Sequence, residues 1–245
     1  MARVSLGMTS ATHPAELGPC ARPRFTAEQV GEALTAAGHQ LVDRAAAEVQ
    51  VVELDTHDGV GGGAPLVLTS LGRPIDPWHA IADAGERQPF IDPWVADLEK
   101  RKRAALPYRA DAYADSFADL LAAVEVALRG KTADAPALRY RGGLFNSVSV
   151  RPGTDFALGV EPRPQVLGRG VGADVSMPTP QLARAHLQVS VNEGDGLEVT
   201  DLGSTNGTWL CQPDGEIVAL RPGNAVLARP GALVMPDASF RFIVV

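Results

Sequence analysis

With 245 residues, 45% of them apolar, the chain is long enough for one large domain or two ordinary ones with a sizeable core. Its net charge is -7, with 9 Lys/Arg against 10 Asp/Glu from Leu138 onward and 13 against 19 before it, so neither part has the basic balance that general nucleic-acid binding needs. Two cysteines, Cys20 and Cys211, speak against a disulfide framework and suit a reducing interior. No apolar run approaches the ~20 residues that span a bilayer, and Met1 to Pro23 lacks the charged-then-apolar pattern of a secretory signal. The expectation is a cytoplasmic protein that neither inserts in a membrane nor binds nucleic acid.

Residues 1–23 mix Thr, Ser, Pro and Gly without periodicity and read as a disordered tail. Order is expected from Phe25, where Thr26 and Gln29 stand at capping-box spacing and Phe25 and Val30 at the positions of a hydrophobic staple. Val30, Leu34, Ala37, Leu41 and Ala45 recur at helical spacing. Val49 to Leu54 and Leu66 to Thr69 have strand character, separated by the turn-rich Asp58 to Pro65. Asp76-Pro77 and Asp92-Pro93 each place an acidic cap before a proline at the first helical position, and a last helix near 111–129 carries Tyr113, Phe117, Leu120, Leu121, Val124 and Leu128 on one side. Residues 24–130 are therefore expected as a helix-rich α+β domain, and 131–143 as a linker.

From about residue 144 the period changes to two. Expected strands are Ser147–Val150, Phe156–Val160, Gln165–Leu167, Leu187–Val191, Leu197–Asp201, Thr208–Leu210, Ile217–Leu220, Ala225–Leu227, Ala232–Met235 and Phe240–Val245. Turn residues such as Pro213-Asp214-Gly215 and Arg221-Pro222-Gly223-Asn224 lie between them. Many short strands with dense Gly, Pro, Asn and Asp punctuation predict an antiparallel β-sandwich or barrel over 144–245.

Three elements in this part follow one another in order: Gly168-Arg169, with Asp174-Val175 after it; Ala183-Arg184-Ala185-His186; and Asp201-Leu202-Gly203-Ser204-Thr205-Asn206-Gly207-Thr208. Their order and spacing resemble the forkhead-associated (FHA) family, a phosphothreonine-binding β-sandwich, over roughly Asn146 to Val245. The resemblance implies that Arg169 and Arg184 contact phosphate, that Ser204, Thr205 and Asn206 form the opposite wall, and that Asn206 grips the peptide backbone. Gly168, His186 and Gly207 support the site. A phosphate of charge near -2 calls for pre-placed donors, and a charge-assisted arginine contact contributes roughly 1.5–3 kcal/mol. His186 is expected as scaffold, because a neutral imidazole offers one donor and one acceptor.

The chain departs from the family at Ala183, where a serine hydroxyl usually meets the phosphate. Its loss removes a hydrogen bond of roughly 1–3 kcal/mol, and Thr179 and Gln181 are the substitute donors in the same loop. The implied function is a non-enzymatic adaptor for a threonine-phosphorylated partner, with a serine/threonine kinase upstream and no cofactor. The alternative, motivated by Ala183, is a phosphate-independent interaction module or structural part of a bacterial assembly. Three lysines against abundant arginine and alanine point to a high-GC bacterial source.

Other groupings carry less. Gly59 to Gly63 lacks the Gly-Lys-Ser/Thr of a phosphate loop, and Asp55, His57, Asp58 and the remote His79 read as solvated rather than metal-binding. The run Glu99-Lys100-Arg101-Lys102-Arg103 reads as an exposed helix face. No nucleophile context such as Gly-x-Ser-x-Gly is present.

Overall fold

The computed structural model describes residues 1–8, 25–54, 64–71, 84–129, 137–145, 157–159, 161, 163–192 and 196–245. The N-terminal part contains β1 (Arg3–Gly7), α1 (Ala27–Ala36), β2 (Gln40–Leu41), β3 (Val49–Glu53), β4 (Leu66–Thr69), α2 (Ala84–Ala104), β5 (Ala112–Ala114) and α3 (Phe117–Arg129). Its strands form one sheet in the order β2-β1-β3-β4-β5, and every pairing is parallel. Helices and strands are thus mixed here, as expected, and the near-continuous apolar runs of β3 and β4 reflect a parallel sheet covered on both faces.

Four expectations are corrected in this unit. Arg3–Gly7 is not tail but an inner strand, pairing Val4 with both Leu41 and Val49; its short apolar segment gains its partners from distant parts of the chain. The first helix begins as read, with Thr26 accepting from the Gln29 amide and Gln29 Oε1 accepting from the Thr26 amide, but it ends at Ala36. Gly38, at φ 86°, bonds to the Thr35 carbonyl and His39 to the Leu34 carbonyl, a Schellman stop that overrides the apolar spacing of Leu41 and Ala45. Leu41 then pairs on β2 instead.

Farther along, α2 runs through Asp92-Pro93 rather than starting there; proline forfeits one helical hydrogen bond, but its fixed φ is helical. The span expected to be wholly helical near 111–129 opens with β5. Asp76-Pro77, the Gly59 to Gly63 turn, the Asp55, His57, Asp58 and His79 grouping and Ser147–Val150 lie outside the described residues.

The C-terminal part is a β-sandwich. It contains β6 (Leu138–Gly143), β7 (Ala157–Leu158), β8 (Gln165–Gly168), β9 (Val175–Ser176), β10 (Leu187–Val191), β11 (Leu197–Asp201), β12 (Thr208–Cys211), β13 (Ile217–Ala219), β14 (Ala225–Ala228), β15 (Leu233–Pro236) and β16 (Phe240–Val244). One sheet has the order β14-β11-β10-β8-β9 and the other β13-β12-β15-β16-β6-β7. All pairings are antiparallel except β8 with β9. Leu138–Gly143, expected as linker, is a sandwich strand: it pairs along β16 from Leu138–Val244 to Gly143–Phe240, a partner about 100 residues away that no local signal reveals.

Alternation divides the side chains into three cores. Leu167, Leu187, Val189, Val199, Leu210, Val234, Phe240 and Phe242 fill the space between the sandwich sheets. Val49, Val51, Val67, Ala112 and Ala114 of the parallel sheet meet Val30, Leu34, Leu120 and Val124 of α1 and α3. The opposite face of that sheet, with Leu68 and Tyr113, packs on Cys211, Leu233, Met235 and Ile243 from the outer face of the sandwich. The sheet containing β15 and β16 is therefore buried on both sides, and the two units share a core.

Polar groups cross the same interface. Arg241 is fully buried, lies 5.5 Å from the centre of the Tyr113 ring and donates to the Ala238 carbonyl at 2.7 Å and the Ala105 carbonyl at 3.5 Å. Burial pushes its guanidinium below the ordinary value, with Tyr113 and Cys211 opposing. Arg109 donates to the Gln212 carbonyl at 2.9 Å and to that of Gly231. Among the described residues no helix is long and apolar enough to cross a membrane.

Candidate functional site

The loops at one end of the sandwich are joined backbone to backbone. β8 ends at Gly168, where an added Cβ would lie 2.2 Å from the Arg184 carbonyl oxygen; only glycine permits this approach. The Arg169 amide then donates to the Ala183 carbonyl at 2.9 Å, the Gly170 amide to the Arg184 carbonyl at 3.0 Å and the Met177 amide to the Gly168 carbonyl at 2.9 Å. Arg169 and Arg184 consequently lie on adjoining backbone segments. Both are exposed, and among the described residues neither guanidinium has an ion pair or side-chain hydrogen bond.

Asp174, a natural counter-ion for Arg169 on sequence grounds, is used elsewhere. Its Oδ1 pairs with Arg163 at 2.6 Å and its Oδ2 accepts from the Val166 amide at 2.7 Å. The Arg163 hydrogen bond and then the amide hold its carboxyl below the ordinary range. It closes the loop after β8 instead of pairing with Arg169.

His186 is fully buried. Its Nδ1 accepts from the Ala183 amide at 3.1 Å, so Nε2 carries the proton and donates to the Gly207 carbonyl at 3.2 Å. Burial holds the imidazole below its ordinary value, opposed by the Gly207 bond. The residue thus ties the Ala183 loop to the turn after β11.

That turn is organised by Asp201, which is buried. Oδ1 accepts from the Gly203 and Ser204 amides at 2.9 and 2.8 Å, and Oδ2 from the Ser204 and Thr208 hydroxyls, each at 2.7 Å. Burial pushes the carboxyl up, but these bonds, led by the Ser204 and Thr208 hydroxyls, hold it lowered. The Asp201 role was not among the sequence expectations; the acidic residue three before a serine was its signal. Ser204 Oγ also accepts from the Gly207 amide at 3.0 Å, so its proton is directed into the turn. Thr205 and Asn206 are exposed, and Gly207 takes φ 78°, where glycine carries little cost.

Asn206 Nδ2 donates to the Gln181 carbonyl at 2.9 Å, bridging the two loops; among the described residues its Oδ1 has no side-chain hydrogen bond. Of the two substitute donors near Ala183, Thr179 is buried and its hydroxyl is directed to the Gln181 side chain. The structure thus gathers Gly168, Arg169, Arg184, His186, Ser204, Thr205, Asn206 and Gly207 on three loops locked to one another.

Residues 166–232 match the family model of the FHA domain. The C-terminal part of this chain is an FHA domain. Similar solved structures include an FHA domain analysed for phosphothreonine-dependent interactions, 21% identical over 45% of this chain and 94% of that one, with a TM-score of 0.33. The FHA domain of a Chlamydia trachomatis protein is 17% identical, covering 45% of this chain and 95% of its own at a TM-score of 0.34. That of an Arabidopsis thaliana hypothetical protein is 25% identical, covering 47% and 92% at a TM-score of 0.34. No curated protein matches the chain.

Proposed function

We propose that the FHA domain binds a phosphothreonine-containing segment of a partner protein, and that the chain is a non-enzymatic, cytoplasmic adaptor acting downstream of a serine/threonine kinase. The observation that carries this reading is the pair of exposed guanidinium groups of Arg169 and Arg184, which have no ion pair among the described residues, on mutually bonded loops. In this reading they take the phosphate, while Asn206, with Thr205 and Ser204, faces the peptide backbone. Locked loops lower the ordering cost that a phosphopeptide complex would otherwise carry.

Titration with phosphothreonine peptides and their unphosphorylated twins tests the reading. Phosphate dependence is expected, and Arg169→Ala should weaken binding by about 10- to 100-fold, the equivalent of roughly 1.5–3 kcal/mol, with an unchanged Tm. Equal affinity for both peptides would reject it.

One feature favours a second reading, contact with an unphosphorylated partner through the same loops. Ala183 offers no hydroxyl, and the protons of Thr179 and Ser204 are directed to Gln181 and Asp201. Under this reading, phosphatase treatment of a captured partner leaves its binding intact.

A further inference from the structure

The turn between β15 and β16 places two successive non-glycine residues in the left-handed region, Asp237 at φ 55° and Ala238 at φ 53°. Turns of this kind favour Asn-Gly, and other residues persist there when their surroundings over-determine them. The surroundings here are specific. Ser239 Oγ donates to Asp237 Oδ2 at 2.6 Å, and Arg241 donates to the Ala238 carbonyl at 2.7 Å. From α2 of the N-terminal unit, Lys102 Nζ reaches Asp237 Oδ1 at 3.2 Å and Oδ2 at 3.1 Å.

Both members of this ion pair are sequestered, with side-chain exposures of 7% for Lys102 and 4% for Asp237. Glu99, on the same helix, also accepts from Lys102 at 3.1 Å. Burial pushes the Asp237 carboxyl up, and the Lys102 charge and Ser239 hydroxyl pull it back. Ionised Asp237 in this setting therefore depends on its cation.

The other end of Asp237 points at the peptide-binding turn. Its amide donates to the Gly207 carbonyl at 2.9 Å, the same oxygen that receives His186 Nε2. Gly207 directly follows Asn206. Two hydrogen-bonded contacts, Lys102 to the Asp237 carboxylate and the Asp237 amide to Gly207, thus lead from α2 through the covalent frame of Asp237 to Gly207, which is peptide-bonded to the residue expected to grip the peptide.

We infer that Lys102 is a positioning residue for peptide binding, holding the Asp237 turn so that Asp237 in turn fixes the Asn206-Gly207 segment. This rests on the function proposed above and extends it. The N-terminal unit becomes part of the recognition apparatus, and a change in α2 reaches the peptide site without touching it. Such coupling through packed and bonded elements commonly amounts to about 5- to 150-fold in affinity.

The test uses the full chain and a phosphothreonine peptide selected for binding to it. Lys102→Met is expected to raise Kd about fivefold or more, Lys102→Arg to recover most of the loss, and exchange of the Asp237 amide proton to accelerate relative to that of Val189 in the sandwich core. Arg169→Ala should weaken phosphate-dependent binding about 10- to 100-fold and leave Asp237 exchange unchanged. If Lys102→Met does not fold, Asp237→Asn, which tolerates the left-handed turn, is read in the same two ways. An unchanged Kd, even with a lowered Tm, overturns the inference, because Lys102 would then only stabilise the interface. If the unaltered chain binds no phosphopeptide, the proposed function fails; Asp237 exchange then decides the positioning role, and unchanged exchange in Lys102→Met overturns it.

Discussion

The parallel sheet and the sandwich sheet that packs on it both have two buried faces, yet they use polar residues in opposite ways. In the parallel unit, order follows mainly from burial: Val49, Val51 and Val67 face the helices while Leu68 and Tyr113 face the sandwich. In the sandwich, three loops at one end are each closed by a polar side chain, Asp174, His186 or Asp201. Burial specifies that a segment is inside without saying which neighbour it meets. A carboxylate with four hydrogen bonds to its own turn specifies geometry, and such a turn can present Asn206 at a fixed position.

The comparison predicts that the recognition end tolerates the least change. Gly168→Ala should cost about 3 kcal/mol or more, because the added methyl meets a backbone oxygen that cannot swing aside. Thermal unfolding measures this, and a Tm within a degree or so of the unaltered protein would show that the loops are looser than their hydrogen bonds indicate. Ala183→Ser is the next largest change. Restoring the hydroxyl beside Arg184 should tighten phosphopeptide binding about tenfold, roughly 1.4 kcal/mol, as read by calorimetry, and no gain would favour the phosphate-independent reading.

In the other unit, Thr26→Ala removes the cap of α1 and should cost about 1 kcal/mol of stability. Because the shared core joins the units, the loss should appear in a single cooperative transition while phosphopeptide affinity stays the same. Two separated transitions would break the picture of a common core.

The smallest effect is in pH. His186 is held neutral, below its ordinary value of 6.5, so its contribution is complete above that value. As pH falls, the unfolded chain takes up the proton before the folded one does, and stability declines toward the depressed folded value. Tm measured from about pH 7.5 to about pH 5 should fall with a slope that His186→Gln diminishes.

Local chemistry made much of the recognition end legible. The Asn-Gly turn, the glycine before Arg169, and the Arg-x-His spacing are close in sequence and act on their own loops, so the spacing carries the geometry. The capping box at Thr26 was equally local. Lys102 shows the opposite case: within Glu99 to Arg103 it has the look of an exposed face, and only a turn 135 residues later makes it a buried ion pair. Thr179 likewise looked available beside Ala183, and its burial depends on how the loop packs.

By itself, then, the sequence determined the strand-rich C-terminal half, the order of its recognition loops and the departure at Ala183, since periodicity and turn chemistry act over a few residues. Only the tertiary structure decided that Arg3–Gly7 and Leu138–Gly143 are strands, that the N-terminal strands run parallel, and that the two units share a core. Strand pairing joins distant segments, and a strand buried on both faces loses the alternation that would announce it.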